Sequence, residues 1–213
     1  MIDDDDRTPL TIAQALHVAT RRLAPIAGDD ARLESEVLLA HVLRAGRAHL
    51  LARLQDDLTP DASALFEALL ARRLAREPLA YITGRREFYG IEFECTPAAL
   101  IPRPETELLV ELALEDLRAR HAGARLADIG TGSGAIAIAL AANAPEARIT
   151  AIDASPDTLA LARRNAAHAG VTEHINFRTG DLLDGGEVFD VIVANLPYIR
   201  ERLAAVAARD PRS

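Results

Sequence analysis

Arg125-Leu-Ala-Asp-Ile-Gly-Thr-Gly-Ser-Gly134 is the stretch that decides the architecture of this chain. A short apolar segment runs into three glycines at alternate positions, and the residues that follow, Ala135 to Ala142, are apolar throughout. A strand that feeds a glycine turn and then a helix opens a parallel α/β sheet, with loop and helix N–H groups turned to a ligand. Working outward, strands are expected near 125–128, 148–152, 174–178 and 188–194, and helices near 133–143 and 156–169. Ser155-Pro156 caps and opens the second helix. Strand and helix alternate over short connections, which predicts a sheet wound by right-handed crossovers. Ligands of such sheets lie beyond the carboxyl ends of the strands, and the conspicuous residues all fall there: Gly130 to Gly134, Asp153, Asp181 with Leu182, and Asn195.

The placement gives each residue a task. Asp128, Gly130, Thr131, Gly132, Ser133 and Gly134 form the cofactor loop, in which the glycines permit a tight turn and close backbone approach. Asp153 can accept hydrogen bonds from two ribose hydroxyls; its alternative is helix capping, for which Ser155 is the better candidate. Asp181 or the Leu182 backbone can meet an adenine, or form a plain turn. Asn195-Leu196-Pro197-Tyr198 ends the run Val188 to Ala194, which is apolar but for Asp190. An Asn carboxamide oxygen and the carbonyl before a proline can accept both hydrogens of one –NH₂ group. Together the two segments read as an S-adenosylmethionine site facing an amide or amine nitrogen, Asn195 touching both cofactor and acceptor. A dinucleotide-binding oxidoreductase would need G-x-G-x-x-G, whereas this loop reads G-T-G-S-G, and no hydride-transfer site accompanies it.

Composition sets the limits. A 213-residue chain with 49% apolar and 26% charged residues can bury the cores of one or two domains. Its acidic start, Met1-Ile-Asp-Asp-Asp-Asp-Arg7, is unlike a basic secretory leader, and Ala135 to Ala142 is far shorter than a membrane span, so a cytoplasmic protein without a membrane partner is expected. The one cysteine, Cys95, excludes an intramolecular disulfide and is expected to fill a strand. The net charge of −8 is spread evenly, all 24 basic residues are arginine, and no direct nucleic-acid contact is expected. Arg72-Arg73-Arg76 and Arg85-Arg86 read as solvated faces. His17, His41 and His49 lack ligand spacing, so no metal is expected.

Residues 1–75 show helix-like apolar spacing in three stretches. Thr8-Pro9 is expected to cap and open the first, with Leu10, Ile12, Ala15, Leu16 and Ala19 inward. Asp29 or Asp30 caps the second, with Leu33, Val37, Leu38 and His41-Val42 inward, and Thr59-Pro60 opens the third through Leu65, Leu69 and Leu74. Over 76–103, Leu79 to Thr83 and Phe88 to Cys95 read as a β-hairpin around Gly84 that links two domains. Pro104 then opens a helix over Glu105 to Arg120, with Leu108-Leu109, Leu112 and Leu117 on one face. Residues 104–213 make the cofactor-binding domain.

Glu77-Pro-Leu-Ala-Tyr-Ile-Thr-Gly84, Arg86-Glu-Phe-Tyr89, Leu100-Ile-Pro-Arg-Pro-Glu-Thr-Glu107, Asp128 to Gly134 and Asn195 to Ile199, in this order, resemble the bacterial release factor glutamine methyltransferases. The resemblance covers nearly the whole chain. It implies a Rossmann-like class I methyltransferase domain behind a helical domain that recognises the substrate. It also implies transfer from S-adenosylmethionine to N5 of the glutamine in the Gly-Gly-Gln motif of release factors, leaving S-adenosylhomocysteine. Asn195, Leu196, Pro197 and Tyr198 are then the catalytic residues. Two departures stand out. Leu196 replaces the first proline of the family's Asn-Pro-Pro-Tyr, retaining the backbone carbonyl, while Pro197 keeps residue 196 extended. The chain also stops where the family adds three strands, so a C-terminally incomplete sheet with an unprotected edge strand and self-association through it are expected. Asn-Leu-Pro-Tyr is similar to the motif of ribosomal RNA adenine dimethyltransferases, which leaves adenine N6 as the alternative acceptor, and an inactive cofactor-binding fragment as another alternative.

Overall fold

The computed structural model describes residues 10–183 and 187–196; Thr8, Pro9, Pro197 and Tyr198 lie outside the described residues. Two compact units meet in the sequence between Thr83 and Gly84.

The first unit is helical: α1 (Ile12–Ala27), α2 (Ala31–Val42), α3 (Arg47–Ala52), α4 (Pro60–Leu74) and α5 (Leu79–Thr83). Thr11, rather than the Thr8-Pro9 pair, caps α1, because Gln14 three residues on completes a capping box with it. Entry to α2 runs through a 3-10 turn, Gly28–Asp30, which puts Asp30 in the helical region, and neither Asp29 nor Asp30 makes a side-chain cap. Thr59 and Pro60 open α4 as expected, with the Thr59 hydroxyl accepting from Ala62 N.

Ile12, Ala15, Leu16 and Ala19 of α1, Leu38 of α2 and Leu69 of α4 are buried as expected, but the rest of the inward stripes differ and Leu10 is exposed. Leu33 and Leu65 are exposed, while Ala31, Ser35, Leu38 and Leu39 of α2 and Phe66, Leu69 and Leu70 of α4 are buried. Two polar residues share the α2 stripe because each has a local partner. Ser35 donates to Ala31 O at 2.7 Å, and Glu36 is clamped by Arg32 and Arg47. Burial pushes the Glu36 carboxyl up, but the hydrogen bonds from Arg32 and Arg47 outweigh it and hold the group below its ordinary value. Arg72 pairs with Glu77 on an open face as expected, whereas Arg73 and its partner Glu34 are each only 14% exposed, so that pair is packed and not solvated.

The second unit opens with a hairpin placed later than expected. Its strands are β1 (Arg85–Phe88) and β2 (Ile91–Glu94), and Leu79 to Thr83 is the short helix α5. The turn is Tyr89-Gly90, both left-handed at φ 52° and 73°, the two-residue geometry that suits the twist of a hairpin. After a 3-10 turn, Pro104–Thr106, comes α6 (Glu107–Arg118). Val110, Ala113, Leu114 and Leu117 make its buried stripe; Leu108 and Leu112, one register away, are exposed.

Then follow β3 (Arg125–Ile129), α7 (Ala135–Asn143), β4 (Arg148–Asp153), α8 (Pro156–His168), β5 (Ile175–Thr179) and β6 (Val191–Ala194). The four strands are parallel in the order β5-β4-β3-β6. The last strand is shorter than the expected 188–194. Asp190 ends it by bonding Arg125 through both its carboxylate and its N–H, each at 2.8 Å, so the ladder begins one residue later. From β3 the chain winds outward through β4 to β5 and then returns to the other side of β3. The gap between the β3 and β6 carboxyl ends is therefore a topological switch point, where open α/β sheets bind ligands. Helix α7 is buried from Ala135 to Ala141 on every side, which explains its lack of a polar face.

Candidate active site

The glycine loop is held by its own backbone. Gly130, Gly132 and Gly134 are all left-handed, with φ of 68°, 58° and 84°. Thr131 N donates to Ile152 O at 2.9 Å, and Gly134 N to Thr131 O at 2.9 Å. Beneath the loop lies Asp128, whose Oδ2 accepts from the Thr131 hydroxyl at 2.6 Å and from Ala137 N at 3.2 Å. Its Oδ1 is buried and has no protein partner. Burial, opposed by the Thr131 and Ala137 hydrogen bonds, pushes this carboxyl up to about 6.

Asp153, at the end of β4, spans two elements: Oδ2 accepts from Gly132 N and Oδ1 from Ser155 N, both at 3.0 Å. Capping of α8 falls to Ser155, whose hydroxyl accepts from Thr158 N. Each Asp153 oxygen retains a second lone pair.

The two motifs meet at the switch point. A Cβ on Gly130 would stand 2.4 Å from Leu196 Cδ2, so the leucine side chain lies directly over the loop. Leu196 also packs with Ala127, Ile129 and Ile152. The Asn195 Nδ2 donates to the Thr106 hydroxyl at 2.9 Å, a partner that periodicity and spacing did not indicate. Its signal was the Pro104-Glu-Thr106 segment itself, whose tight turn carries Thr106 to the cleft.

These residues share one cleft of about 620 Å³. Gly130, Thr131, Gly132, Ser133, Asp153, Asp181, Leu182, Asn195 and Leu196 all line it, as do Leu100 to Arg103 and Thr106. Gly134 and Asp128 do not line it: Gly134 packs against Ile138 and Ala162, and Asp128 supports the loop from below. Pro197 and Tyr198 are outside the described residues. Among the described residues no group of His, Cys, Asp and Glu is arranged to hold a metal ion, and no helix is long and apolar enough to cross a membrane. Cys95 is buried beside the hairpin, its thiol pushed up to about 11 by burial.

A further buried residue, Asn165 on α8, ties the loop to the hairpin. Its Oδ1 accepts from Glu94 N at 2.8 Å, and its Nδ2 donates to Ser133 O at 3.0 Å and Glu94 O at 3.3 Å. Arg164 pairs with the Glu94 carboxylate, and Thr158 donates to Ala98 O at 2.7 Å. The hairpin and the segment after it are thus fastened to the helix that borders the cleft.

An S-adenosylmethionine molecule suits these residues. The cleft volume is in the range of small-molecule sites, Gly132 offers a cradle whose nearest atom to an added Cβ is 3.9 Å away, and the carboxylates of Asp153 at the end of β4 and Asp181 after β5 belong to residues lining the cleft.

Residues 14–84 match the PrmC N-terminal domain model and residues 105–209 the methyltransferase small domain model. The chain is 43% identical over 195 residues to the release factor glutamine methyltransferase of Koribacter versatilis, covering 90% of this chain and 69% of that one. The Vibrio cholerae enzyme of the same name is 42% identical over 206 residues, 95% of this chain and 71% of the relative. An RNA methyltransferase from Salinibacter ruber, solved in complex with S-adenosyl-L-homocysteine, is 32% identical over 52% of this chain and 69% of that chain, with a TM-score of 0.38. With both domain models matched in order, and with relatives of this identity spanned over more than two thirds of their length, the chain belongs to the release factor glutamine methyltransferase family.

Proposed function

We infer that this chain methylates the side-chain amide nitrogen of the glutamine in the Gly-Gly-Gln motif of peptide chain release factors. The observation that carries the reading is the meeting of Asn195 and Leu196 with the glycine loop at the β3/β6 switch point. Bound in the cleft, S-adenosylmethionine supplies an electrophilic methyl group on a sulfonium and leaves as S-adenosylhomocysteine. Gly130 to Ser133 would hold its amino-acid portion, Asp153 the ribose hydroxyls, and Asp181 with Leu182 the adenine, while Asp128 and Gly134 keep the loop in place.

The acceptor amide is a weak nucleophile because its lone pair is delocalised. Asn195 Oδ1 and the Leu196 carbonyl accept its two hydrogens, which orients the nitrogen and favours the pyramidal geometry of the transition state over the planar ground state. Tyr198 packs against the amide plane. The N–C bond forms as the C–S bond breaks, and one proton leaves the nitrogen for solvent after transfer. Positioning supplies most of the rate. The helical unit recognises the body of the release factor, since a glutamine side chain offers too little surface for specificity. Such substrates place the chain in the cytoplasm. Exposed Val188 and Ile192, beside and on the β6 edge, provide the surface for self-association.

Mass spectrometry of a Gly-Gly-Gln release factor incubated with the chain and S-adenosylmethionine tests the reading. Gain of one methyl on glutamine is expected, and Asn195→Ala should cut it ~10²-fold or more while cofactor binding persists. Methylation of adenine in RNA and not of the release factor would overturn it.

A further inference from the structure

We propose that Thr106 is a positioning residue for the transfer: its hydroxyl, bonded to Nδ2, fixes the plane of the Asn195 carboxamide and so holds Oδ1 where the acceptor nitrogen arrives. The proposal rests on the glutamine methyltransferase reading above.

Three observations support it. The Asn195 Nδ2 donates to Thr106 Oγ1 at 2.9 Å, and both residues line the same cleft. Thr106 occupies the N-cap position of α6, where a threonine hydroxyl ordinarily accepts from the first turn of the helix. Here it makes no cap, and its backbone sits in the helical region at φ −73°, ψ −17°. The hydroxyl therefore serves a residue 89 positions away instead of its own helix. The segment that presents it is also fixed on both sides. Thr106 N donates to Arg103 O at 3.0 Å, and the next side chain, Glu107, accepts from Tyr89 N at 2.9 Å. Thr106 is 8% exposed, whereas Asn195 is exposed and its side chain has one described protein partner.

The chemistry needs such a partner. The two ends of a carboxamide are nearly the same size, and rotation about its last side-chain bond exchanges an acceptor for a donor. A flipped Asn195 would turn its own –NH₂ to the –NH₂ of the substrate. Two donors then face one another, and the hydrogens of the acceptor nitrogen lose one of their two partners. A hydroxyl can pair with either end of a carboxamide, so Thr106 holds its plane while the substrate –NH₂, which needs an acceptor, favours the orientation seen here, with Nδ2 on Thr106 and the Oδ1 lone pairs left for the substrate. Rigid support of this kind keeps a catalytic group within the narrow geometry that transfer requires.

Thr106→Val keeps the shape and removes the acceptor, and Thr106→Ser restores the hydroxyl. With a Gly-Gly-Gln peptide, Thr106→Val should lower kcat ~10-fold or more, and Thr106→Ser should recover most of it, while S-adenosylhomocysteine affinity by calorimetry stays within about twofold of wild type. The Asn195 side-chain amide, assigned in ¹⁵N spectra by its disappearance in Asn195→Ala, should exchange with water ~10-fold faster in Thr106→Val. In the Asn195→Ala background Thr106→Val should add little, since the two residues act as one unit. If Thr106→Val does not fold, Thr106→Ala, which adds no bulk, is read by the same criteria. A kcat unchanged in a folded Thr106→Val or Thr106→Ala protein overturns the proposal, as does unchanged exchange at Asn195. If wild-type protein transfers no methyl to any Gly-Gly-Gln substrate, the functional reading itself falls and takes the catalytic meaning of this contact with it.

Discussion

Two glycines of one loop, Gly132 and Gly134, share a left-handed backbone but should respond differently to alanine. Placing an L-residue at φ 58° or 84° costs ~1–2 kcal/mol, partly offset by the lower chain entropy of unfolded alanine. At Gly132 nothing else is added, because the nearest heavy atom to a Cβ is 3.9 Å away. At Gly134 the same Cβ would stand 2.8 Å from Ile138 Cδ1 and 3.2 Å from Ala162 Cβ. Ile138 and Ala162 are both fully buried, so α7 and α8 must separate, an overpacking cost of ~1–3 kcal/mol. Gly134→Ala should therefore destabilise the second unit by ~2–4 kcal/mol and Gly132→Ala by ~1 kcal/mol or less. Urea titration read by hydrogen exchange in peptides covering 125–170 follows this unit separately from the helical one. Cofactor affinity should rank the two differently: Gly132→Ala intrudes on the cradle and loses binding, whereas Gly134→Ala retains binding wherever it is folded. Equal losses of stability, or tight binding by Gly132→Ala, would refute the division of the loop into a ligand-facing and a core-facing glycine.

Asp128→Asn should raise stability at pH 7–8 by ~1–3 kcal/mol. The folded carboxyl is pushed up to about 6 against 3.8 for the free group, so the contribution of Asp128 to stability falls as pH rises from about 4 to 6 and then levels off. Thermal melts across pH 3.5–8 should show that slope in the difference between wild type and Asp128→Asn, the lowered carboxylates Glu36, Glu77, Glu94 and Asp190 being common to both. Asp153→Ala is expected to weaken S-adenosylhomocysteine binding by ~1–3 kcal/mol, the scale of charge-assisted hydrogen bonds, and unchanged calorimetric affinity would remove it from the ribose site. Asn165→Leu leaves Glu94 N, Glu94 O and Ser133 O without their partner and should cost ~2–4 kcal/mol in urea unfolding; a loss below about 0.5 kcal/mol would show that water replaces the amide.

The parallel α/β half was legible because its signals are local. A glycine loop after β3, Ser155-Pro156 before α8, and apolar strands alternating with helices over short connections each report on neighbours in sequence. Asn195-Leu196-Pro197 carried the acceptor chemistry and the family resemblance the glutamine substrate, and the structure brings Gly130 to Ser133, Asn195 and Leu196 to one cleft. The hairpin was misplaced because Leu79 to Thr83 is apolar and short, a pattern that periodicity cannot assign between strand and helix, while the decisive turn was the unremarkable pair Tyr89-Gly90. In α2 and α6 the buried stripe was read correctly at Leu38 and Leu117 and wrongly elsewhere. Ser35 and Glu36 are polar yet inward, and Leu108 and Leu112 are apolar yet exposed; hydrophobicity alone ranks both pairs wrongly when a partner such as Arg32 or Arg47 neutralises an inward charge.

The sequence by itself determined the α/β class and the glycine loop after β3, since these depend on backbone conformation and on spacings of a few positions. Only the tertiary structure decided the strand order β5-β4-β3-β6, the seating of Leu196 over Gly130, the Asn165 tie and the Thr106–Asn195 contact. Each joins residues that are 32 or more positions apart, or strands whose order no local pattern encodes, and they come together only because burying both faces of one sheet brings those segments to the same edge.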